Sequence, residues 1–424
     1  MVSFLDKAIC KNCKNYENGI CKEMNQQVPV DGSCSQWNET DYEKIENKLQ
    51  NLYDIYRTYL HIEETDRIDI VLAIALSRKF EGIPLWLILV GPSGDMKSVQ
   101  LNAIEDEENT FVLHNLTSKT LVNGYKDKKK YPDLAPELDG KLIIIPDMAQ
   151  ILKLPPIDKA ELWGQLRDLY DGLAGKISGQ GSRARYKNLK VTLIGGSTPA
   201  IDSQILVHQD LGTRELIYRT NGNLDKNLAM DKCFENESDE MNIKKILKET
   251  TLNFLNSIEV IRKDIKKEVI EEIKRISIYV TFMRASGELD QYTNTLRNDV
   301  YPEEPTRISK QMKRLYICLK SLDSNYSDEK ALKILWKVAK SSAFPLRIKV
   351  FDFLLRNYGL YSDFSTSQIA DTLKIGKSTA FRELNILWNL KLVDCRKQET
   401  SYPDKFYEYW KINLEHPFVK ELLK

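Results

Sequence analysis

The stretch LWLILVGPSGDMKSVQL, residues 85–101, constrains the fold of this chain more than any other segment. The apolar run at 85–90 predicts a strand that is buried on both faces. The strand leads directly into a glycine-containing turn, residues 91–98, and a helical pattern follows the turn. A strand, a turn and a helix in this order are typical of a loop that binds phosphates.

In such a loop the backbone N–H groups converge on the phosphates, and the positive end of the following helix adds to their effect. Lys97 is placed to reach the terminal phosphates of ATP, and Ser98 is placed to help hold Mg²⁺. The pattern expects a glycine directly before the lysine, but this chain has Met96. That glycine matters only if the backbone needs a positive φ angle there, or a very close approach to the ligand. The predicted nucleotide-binding residues are Gly91, Pro92, Ser93, Gly94, Asp95, Met96, Lys97 and Ser98.

A second buried-strand run, residues 141–145, is closed by a carboxylate, Asp147. A carboxylate at the end of such a strand orients Mg²⁺ beside a phosphate loop, so Ser98 and Asp147 are the predicted magnesium ligands. Many ATPases of this kind carry a glutamate at the next position, where it activates the attacking water, but this chain has Met148. The sequence therefore predicts ATP binding and leaves the general base unidentified.

Strand-like runs alternate with helical patterns, and they lie at 85–90, 110–114, 141–145 and 190–195. This alternation, which follows a helical pattern at 66–80, predicts a mostly parallel sheet with helices on both faces. Residues 222–243 are polar enough to indicate a loop, and the pattern is helical from 244 to about 340. The predicted domains are a metal-binding knuckle at 1–40, a helical connector at 41–65, an α/β core at 66–222, a helical lid at 223–342 and a winged helix at 343–424.

The overall composition limits the partners of the chain. Its 424 residues suffice for roughly two to four domains. Because the formal net charge is only +1, nucleic-acid binding has to come from local basic patches. The charged start MVSFLDKAICKNCK argues against a signal peptide, and no run approaches the roughly 20 apolar residues of a membrane span. We therefore expect a cytoplasmic protein with no membrane partner.

Four of the seven cysteines crowd near the N-terminus, and these are Cys10, Cys13, Cys21 and Cys34. In a reducing compartment this crowding indicates a metal site, because a short polar segment gives thiols nothing to pack against. A tetrahedral zinc ion fits four thiolates, and its binding energy would fold the segment. A four-cysteine iron–sulfur cluster is the alternative.

The C-terminal segment has the pattern of a winged helix. A first helix is predicted at 344–357, a capped second helix begins at 365–370, and a turn at 374–376 precedes a third helix. Two predicted strands, at 392–396 and 406–412, flank a polar wing. The third helix is the recognition helix of such a domain, and its first turns contact duplex DNA. The predicted DNA-binding residues there are Lys377, Ser378, Thr379 and Arg382, and protein docking is the alternative role.

The loop GPSGDMKS and the strand that ends at Asp147 resemble those of AAA+ ATPases, and most of all those of the minichromosome maintenance (MCM) helicases. The MCM loop reads G-x-x-G-x-x-K-S, with a small apolar residue in place of the last glycine. Thr198 lies in TLIGGSTP, which is similar to the sensor-1 strand, and Arg214 lies in LGTRELIY, which is similar to the arginine-finger segment. Arg307 opens a helix that resembles the sensor-2 helix. The resemblance implies an α/β P-loop AAA+ core with a helical lid, and catalytic roles for Lys97, Asp147, Thr198, Arg214 and Arg307.

The same resemblance implies a homo-oligomeric ring, most often a hexamer, in which the arginine finger serves the nucleotide of a neighbouring subunit. Residues 175–187, GKISGQGSRARYK, are predicted to form a β-hairpin, at the position of the hairpin that points into the central pore of MCM-like rings. Tyr186 would be available for stacking. The residues implied to contact single-stranded DNA are Lys176, Arg183, Arg185 and Lys187, and a solvated basic loop is the alternative.

The resemblance covers residues 66–340 and departs from the MCM pattern at Met148, at Thr198 in place of an asparagine, and in showing no large oligonucleotide-binding N-terminal domain. The segment ELWGQLRDLYDG offers substitute carboxylates in Glu161, Asp168 and Asp171. The resemblance implies an ATPase that moves along or unwinds DNA in the replication of a mobile element or virus. An ATP-gated DNA-binding regulator or assembly factor with weak hydrolysis is the alternative, and Met148 favours it.

Overall fold

A computed structural model gives the structure of the chain. The described residues are 16–17, 20–21, 26–27, 48–117, 119–123, 125, 127–177, 183–202, 214–222, 225–259, 264–287, 290, 296, 299–359, 363–399 and 406–423. The chain divides into two compact units, residues 1–55 and residues 56–424.

The described residues of the first unit include three strands of two residues each, β1 (Tyr16–Glu17), β2 (Ile20–Cys21) and β3 (Gln26–Gln27). They form an antiparallel sheet in the order β1-β2-β3. Strands of this length contribute few backbone hydrogen bonds and little buried surface. Helix α1 (Lys48–Tyr59) begins in this unit and crosses the boundary into the second.

A five-stranded parallel sheet lies at the centre of the second unit. The strands up to residue 219 are β4 (Trp86–Val90), β5 (Thr110–Val112), β6 (Leu142–Ile145), β7 (Leu173–Ile177), β8 (Arg183–Lys187), β9 (Thr192–Ser197) and β10 (Leu216–Arg219). The order across the sheet is β10-β4-β9-β6-β5, and all neighbouring strands are parallel. Strands β7 and β8 form a separate antiparallel hairpin. The prediction of a parallel α/β sheet is confirmed.

Helix α2 (Asp66–Ser77) precedes these strands, and α3 (Lys97–Ala103), α4 (Ala149–Leu152) and α5 (Pro156–Tyr170) lie between them. Strands β4, β6 and β9 are buried along their whole length, which explains why their sequences are continuous apolar runs rather than alternating ones. The ends of β6 and β9 approach each other closely. A Cβ atom on Gly196 would lie 2.5 Å from the carbonyl oxygen of Pro146, so only glycine fits there.

Five helices follow the sheet: α6 (Lys226–Asn236), α7 (Glu240–Ser257), α8 (Lys267–Arg284), α9 (Thr306–Lys320) and α10 (Asp328–Ser341). The prediction of a loop at residues 222–243 is wrong, because α6 and the start of α7 occupy most of it. Helix α6 buries none of its residues, so its sequence has no apolar periodicity to reveal it. Its one signal is a capping aspartate, Asp225, whose side chain accepts the N–H groups of Asn227 and Leu228.

The remaining elements are α11 (Pro345–Arg356), β11 (Phe364–Ser365), α12 (Thr366–Leu373), α13 (Lys377–Asn389), β12 (Val393–Glu399), β13 (Phe406–Ile412) and α14 (Pro417–Leu422). The three strands form an antiparallel sheet in the order β11-β13-β12. The predicted cap of the second helix is present: Ser365 Oγ accepts the N–H of Gln368 at 3.3 Å, and Gln368 Oε1 accepts the N–H of Ser365 at 2.8 Å.

Candidate nucleotide site and nucleic-acid surfaces

The loop of residues 91–98 lies at the carboxyl end of β4, which runs between β9 and β10. Open parallel sheets bind their ligands at this end of the strands. Two loop residues have a left-handed backbone, Gly94 with φ +77° and Met96 with φ +52°. The position at which the pattern expects glycine therefore does need a positive φ angle, and a methionine adopts it.

Lys97 folds back over the loop. Its Nζ atom donates to the carbonyl oxygens of Gly91 at 2.8 Å and Pro92 at 2.6 Å, which uses two of its three N–H donors. Partial burial lowers the pKa of Lys97, and the Asp95 and Asp147 carboxylates oppose that effect. The N–H of Met148 donates to the carbonyl oxygen of Gly196 at 2.8 Å, and the N–H of Gly91 donates to that of Ser197 at 3.1 Å, so Asp147 and the start of the loop adjoin consecutive residues at the end of β9.

Asp147 and Ser98 offer oxygen ligands at the same end of the sheet. Asp147 follows β6 and accepts the N–H of Ala149 at 2.8 Å, and both side chains are exposed. Hydroxyl and carboxylate oxygens suit Mg²⁺, which commonly takes one or two protein ligands and completes its shell with phosphate and water. Among the described residues, no group of three His, Cys, Asp or Glu side chains could hold a metal ion. The Ser98 and Asp147 pair fits magnesium with a bound phosphate.

Met148 occupies the position at which a catalytic glutamate is common. Its side chain is only 1% exposed and packs under β9, where a Cβ atom on Gly195 would lie 3.0 Å from its sulfur. The side chain at this position therefore points into the core. A carboxylate here would be buried and could not meet a water molecule at the loop.

The end of β9 adjoins the start of the loop. The N–H of Gly91 donates to the carbonyl oxygen of Ser197 at 3.1 Å, and Thr198 is the next residue. Thr198 is half-buried and extended, with φ −91° and ψ 170°. The predicted sensor-1 residue therefore lies beside the loop that carries Lys97.

Arg67, on the first turn of α2, is a site residue that the sequence did not indicate. Its Nη1 donates to Asp95 Oδ1 at 2.8 Å, its Nη2 to the Asp95 carbonyl oxygen, and its Nε to Gln100 Oε1 at 2.5 Å. Thr220 Oγ1 donates to the other carboxylate oxygen of Asp95. Burial lowers the pKa of Arg67, and the Asp95 charge opposes that effect. The contact joins residues 28 positions apart, so no local pattern announces it.

A cavity of about 70 Å³ opens beside the loop. Its lining includes Met96, Tyr218 and Gly222 as well as Lys337 of α10. Lys337 Nζ lies 2.9 Å from a Glu64 carboxylate oxygen and 4.8 Å from the centre of the Tyr218 ring. Ligand pockets are usually about 300 Å³ or larger, so this cavity has to widen before it can hold a nucleotide base.

Arg214 lies at the opposite end of the sheet from the loop. Strand β10 runs parallel to β4 with Leu216 opposite Leu87 and Arg219 opposite Val90, and Arg214 precedes Leu216 by two residues. Arg214 therefore lies beside residue 85, and about six residues of extended chain, roughly 20 Å, separate residue 85 from the start of the loop at Gly91. Arg214 Nη2 lies 2.8 Å from an Asp171 carboxylate oxygen. This separation is too long for Arg214 to reach a phosphate on the loop of its own chain.

Arg307 belongs to the same cluster as Arg214. Its Nη2 is 3.1 Å from a Glu303 carboxylate oxygen. Gln311, one turn further along α9, donates to the Arg214 carbonyl oxygen at 2.6 Å and to the Tyr170 hydroxyl at 2.9 Å. Burial raises the pKa of Tyr170 to about 12, and the nearby Arg307 opposes this. The structure thus brings Lys97, Ser98, Asp147 and Thr198 to one end of the sheet and groups Arg214 with Arg307 at the other.

The three substitute carboxylates lie on or just after α5. Glu161 Oε1 accepts from Lys176 Nζ at 3.0 Å, and Asp171 is bound to Arg214. Asp168 is exposed on α5. Asp171 therefore shares the end of the sheet that lies away from the loop of its own chain. A general base among these residues stays a prediction.

The β7–β8 hairpin presents two different faces. Arg183 is opposite Ile177, Arg185 is opposite Gly175 and Lys187 is opposite Leu173, and all six residues are exposed. Because opposite residues share a face, the three basic side chains form one exposed row. We call Arg183, Arg185 and Lys187 the basic row.

Lys176 and Tyr186 lie on the other face of the hairpin. Lys176 is opposite Ala184 and forms an ion pair with Glu161 of α5, with a separation of 3.0 Å. The Tyr186 hydroxyl donates to Asp133 Oδ2 at 2.8 Å. The structure therefore separates Lys176 from the basic row and uses Tyr186 to hold the hairpin to the body of the unit. Tyr186 is half-buried in this position.

The predicted DNA-binding residues of α13 differ in their accessibility. Lys377 and Ser378 are exposed, Thr379 is half-buried, and Arg382 donates from Nε and Nη2 to Glu383 Oε1 at 3.1 and 3.0 Å. Glu383 is buried and also accepts from Arg347 Nε at 3.1 Å. The Arg382 guanidinium is therefore held against the body of α13.

Three of the four clustered cysteines, Cys10, Cys13 and Cys34, lie outside the described residues. Cys21 is described only as a backbone position in β2. Zinc binding by the four cysteines, and the iron–sulfur alternative, stay predictions. The other cysteines are an exposed Cys233, a buried Cys318 and a partly buried Cys395. Over the part of the chain that the structure describes, no helix has both the length and the apolar composition of a membrane span.

No family model matches the chain, and no curated protein matches it. Among solved structures, one described as "SCCmec type IV Cch - active helicase" is similar to this chain with 13% sequence identity. The alignment covers 88% of this chain and 71% of the helicase chain, with a TM-score of 0.36. At this TM-score and identity the likeness says nothing about activity, so the function rests on the residues of the site.

Proposed function

We propose that this chain is an MCM-like AAA+ ATPase that couples ATP hydrolysis to movement along DNA or to its unwinding, in the replication of a mobile element. The observation that carries the proposal is the position of Lys97, Ser98 and Asp147 at the carboxyl end of a parallel sheet, around a loop with the backbone form of a phosphate-binding loop. A strand-to-helix turn without a ligand does not require a carboxylate and a hydroxyl at the same end of the sheet as its lysine.

In this proposal Lys97 and the loop N–H groups bind the phosphates of ATP. Lys97 releases the Gly91 and Pro92 carbonyl oxygens and turns its donors to the ligand. Ser98 and Asp147 are the residues that hold Mg²⁺, which neutralises phosphate charge when it is bound. Thr198, beside the loop, is placed to donate a hydrogen bond to the terminal phosphate.

The position of Arg214 supports a site that two copies of the chain complete. Because Arg214 and Arg307 lie at the far end of the sheet from their own loop, a role at the phosphates requires the loop of a neighbouring copy. Such a contact joins two different surfaces of the same chain, and it closes into a ring when the rotation allows. A hexamer is the ring size that the family resemblance implies.

The basic row supports single-stranded DNA as the ligand of the hairpin. Three cationic side chains on one exposed face can follow a phosphate backbone, and Ile177, 81% exposed beside Arg183, offers an apolar surface to the bases. The three helices and three-stranded sheet of residues 345–412 support a winged-helix domain, in which Lys377 and Ser378 are free to face duplex DNA.

The deciding experiment measures ATP turnover with and without single-stranded DNA, together with strand displacement on a forked duplex. DNA-stimulated turnover with displacement supports the motor. The buried Met148 favours a second function, an ATP-gated DNA-binding regulator with weak hydrolysis. Tight ATP and DNA binding without stimulated turnover or displacement would support that regulator and contradict the motor.

Lys97→Ala should abolish ATP turnover, because it removes the cation that meets the phosphates, and it should leave the fold intact. The matched control is Lys79→Ala. The Lys79 amine also donates to a backbone carbonyl oxygen, that of Leu255, at 2.8 Å, and burial lowers its pKa as it does for Lys97. We expect near-normal turnover in the control. Normal turnover in Lys97→Ala would show that the nucleotide site is elsewhere.

A further inference from the structure

The Arg67 guanidinium contacts the peptide group between Asp95 and Met96, whose orientation determines the φ angle of Met96. The Asp95 carbonyl oxygen belongs to the planar peptide group that precedes Met96, and rotation of that group about the N–Cα bond of Met96 is its φ angle. Arg67 Nη2 donates to this oxygen while Nη1 donates to Asp95 Oδ1 at 2.8 Å. Because a guanidinium is a rigid fork, these bonds fix the peptide group in one orientation.

The same guanidinium also holds the chain after Met96. Its Nε donates to Gln100 Oε1 at 2.5 Å, so Arg67 joins the residue before Met96 to the first turns of α3. Thr220 fixes the Asp95 carboxylate from the other side, and its own backbone N–H donates to the Val90 carbonyl oxygen at 2.9 Å. The side chains of Arg67 and Asp95 are 12% and 3% exposed.

Gly91 leaves room for this arrangement. A Cβ atom on Gly91 would overlap Thr220 Oγ1 and Asp95 Oδ2, so the loop needs a glycine there in order for the two side chains to meet. The loop thus has a glycine at residue 91, where the contact needs one, and Met96 at the position where a glycine would make the contact unnecessary. Glycine adopts a left-handed backbone without strain, whereas a side chain clashes in that conformation.

We propose that Arg67 is a positioning residue that takes the place of the missing glycine. Through Asp95 it holds Met96 in the left-handed conformation, and this conformation presents Lys97 and Ser98 to the phosphates. Thr220 supports the same carboxylate. The proposal rests on the proposed nucleotide site, because it assigns the residues that shape that site.

The test is a double-mutant cycle of Arg67→Lys and Met96→Gly in the full chain, read by binding of a fluorescent ATP analogue with Mg²⁺. Lysine keeps the charge but cannot bond to the carboxylate, the carbonyl oxygen and Gln100 together. Arg67→Lys should raise the Kd about tenfold. This factor corresponds to the free-energy cost of the left-handed backbone at Met96, which the nucleotide would then have to offset. Adding Met96→Gly should bring the Kd back to within about threefold of the wild-type value, because glycine adopts the left-handed backbone without help from Arg67. Arg78→Lys, at the end of the same helix, is the control and should bind normally.

The outcome that overturns the proposal is a double variant that binds as weakly as Arg67→Lys, or an Arg67→Lys that binds like wild type. If Arg67→Lys does not fold, Thr220→Val replaces it, with an expected loss of about threefold that Met96→Gly also relieves. Chemical unfolding without nucleotide separates the two proposals. A wild-type chain that binds no nucleotide contradicts the proposed function. In that case the unfolding measurements alone test whether Arg67 positions Met96. Arg67→Lys must destabilise the Met96→Gly variant less than it destabilises the wild-type chain. Equal destabilisation overturns the proposal that Arg67 positions Met96.

Discussion

At the scale of single residues, Met96 carries a backbone strain that the structure makes measurable. A left-handed backbone costs a residue with a side chain about 1–2 kcal/mol, and glycine loses part of that advantage, about 0.5–1 kcal/mol, through its freedom in the unfolded chain. Met96→Gly should therefore raise the free energy of unfolding by about 1 kcal/mol, measured by urea denaturation.

The matched control is Met230→Gly, which makes the same substitution in a helix. Met230 is 48% exposed on α6, where glycine costs about 0.8–1 kcal/mol of helix stability. The two substitutions should therefore change stability in opposite directions. A destabilising Met96→Gly would mean that its side chain contributes more by packing than its backbone costs.

Residues whose role follows from their neighbours in sequence were predictable, and residues whose role follows from distant neighbours were not. Lys97 and Asp147 follow buried strands, so sequence order alone places them at the same end of a parallel sheet. Arg67 meets Asp95 only because α2 packs beside the loop, and a single sequence does not encode that contact in any local pattern. The sequence likewise does not reveal that Met96 has a positive φ angle, because methionine rarely adopts one.

At the scale of elements, the hairpin register divides four predicted basic residues into three and one. Replacing Arg183, Arg185 and Lys187 with alanine should weaken single-stranded DNA binding and lower the slope of log K against log salt by about 2, since each lost phosphate contact contributes about 0.7. Lys176→Ala is the matched control, because Lys176 lies on the opposite face with Glu161. An equal change in slope for the control would contradict the assignment of faces.

Asp328 joins three helices of the second unit. Its carboxylate accepts from Lys266, directly before α8, at 2.8 Å and from Tyr316 of α9 at 2.8 Å, and it lies 3.0 Å from Lys320. These bonds, with Lys266 first, hold the pKa of Asp328 well below its usual range. The stabilisation is therefore present above the unfolded-state pKa and is lost as the pH falls through the lower, folded-state pKa.

Asp328→Asn should lower the free energy of unfolding at pH 7 by about 1 kcal/mol, a figure that allows for solvent screening. The difference from wild type should begin to shrink as the pH falls below about 4, where the unfolded-state carboxylate becomes protonated, and it should vanish below the lower folded-state pKa. Denaturation at a series of pH values measures both effects, with the exposed Asp371→Asn as control. A difference that persists unchanged into acid would assign the effect to packing instead of charge.

Which elements the sequence predicted depends on how deeply each is buried. Strands β4, β6 and β9 are buried on both faces, and their uninterrupted apolar runs place them to within a few residues. Helix α12 was predicted through its cap, since Ser365 and Gln368 are spaced for a reciprocal bond. Helix α6 was missed because a helix that buries nothing has no apolar stripe to detect.

At the scale of the whole molecule, the sheet separates the residues that we propose to act on ATP into two groups. The loop that holds Lys97 lies at the carboxyl end of the strands, as does Asp147 after β6, and Arg214 lies at the amino end, roughly 20 Å away. One chain therefore presents the candidate phosphate-binding loop and the Arg214 side chain on surfaces that cannot meet each other. If both act on ATP, only an assembly of several copies is active, and ATP turnover per chain should rise with protein concentration.

This separation predicts complementation between two inactive variants. Lys97→Ala keeps Arg214 and Arg214→Ala keeps Lys97, so a mixed assembly contains interfaces in which both residues are intact. A random equal mixture places such pairs at about a quarter of the interfaces, and it should recover about a quarter of the wild-type turnover. The measurement is ATP turnover after the two variants are unfolded together and refolded, with each variant alone as the baseline. Co-purification of one variant through an affinity tag on the other controls for subunit exchange. If that control shows exchange and the mixture of the two variants stays inactive, Arg214 does not serve the nucleotide of a neighbouring copy.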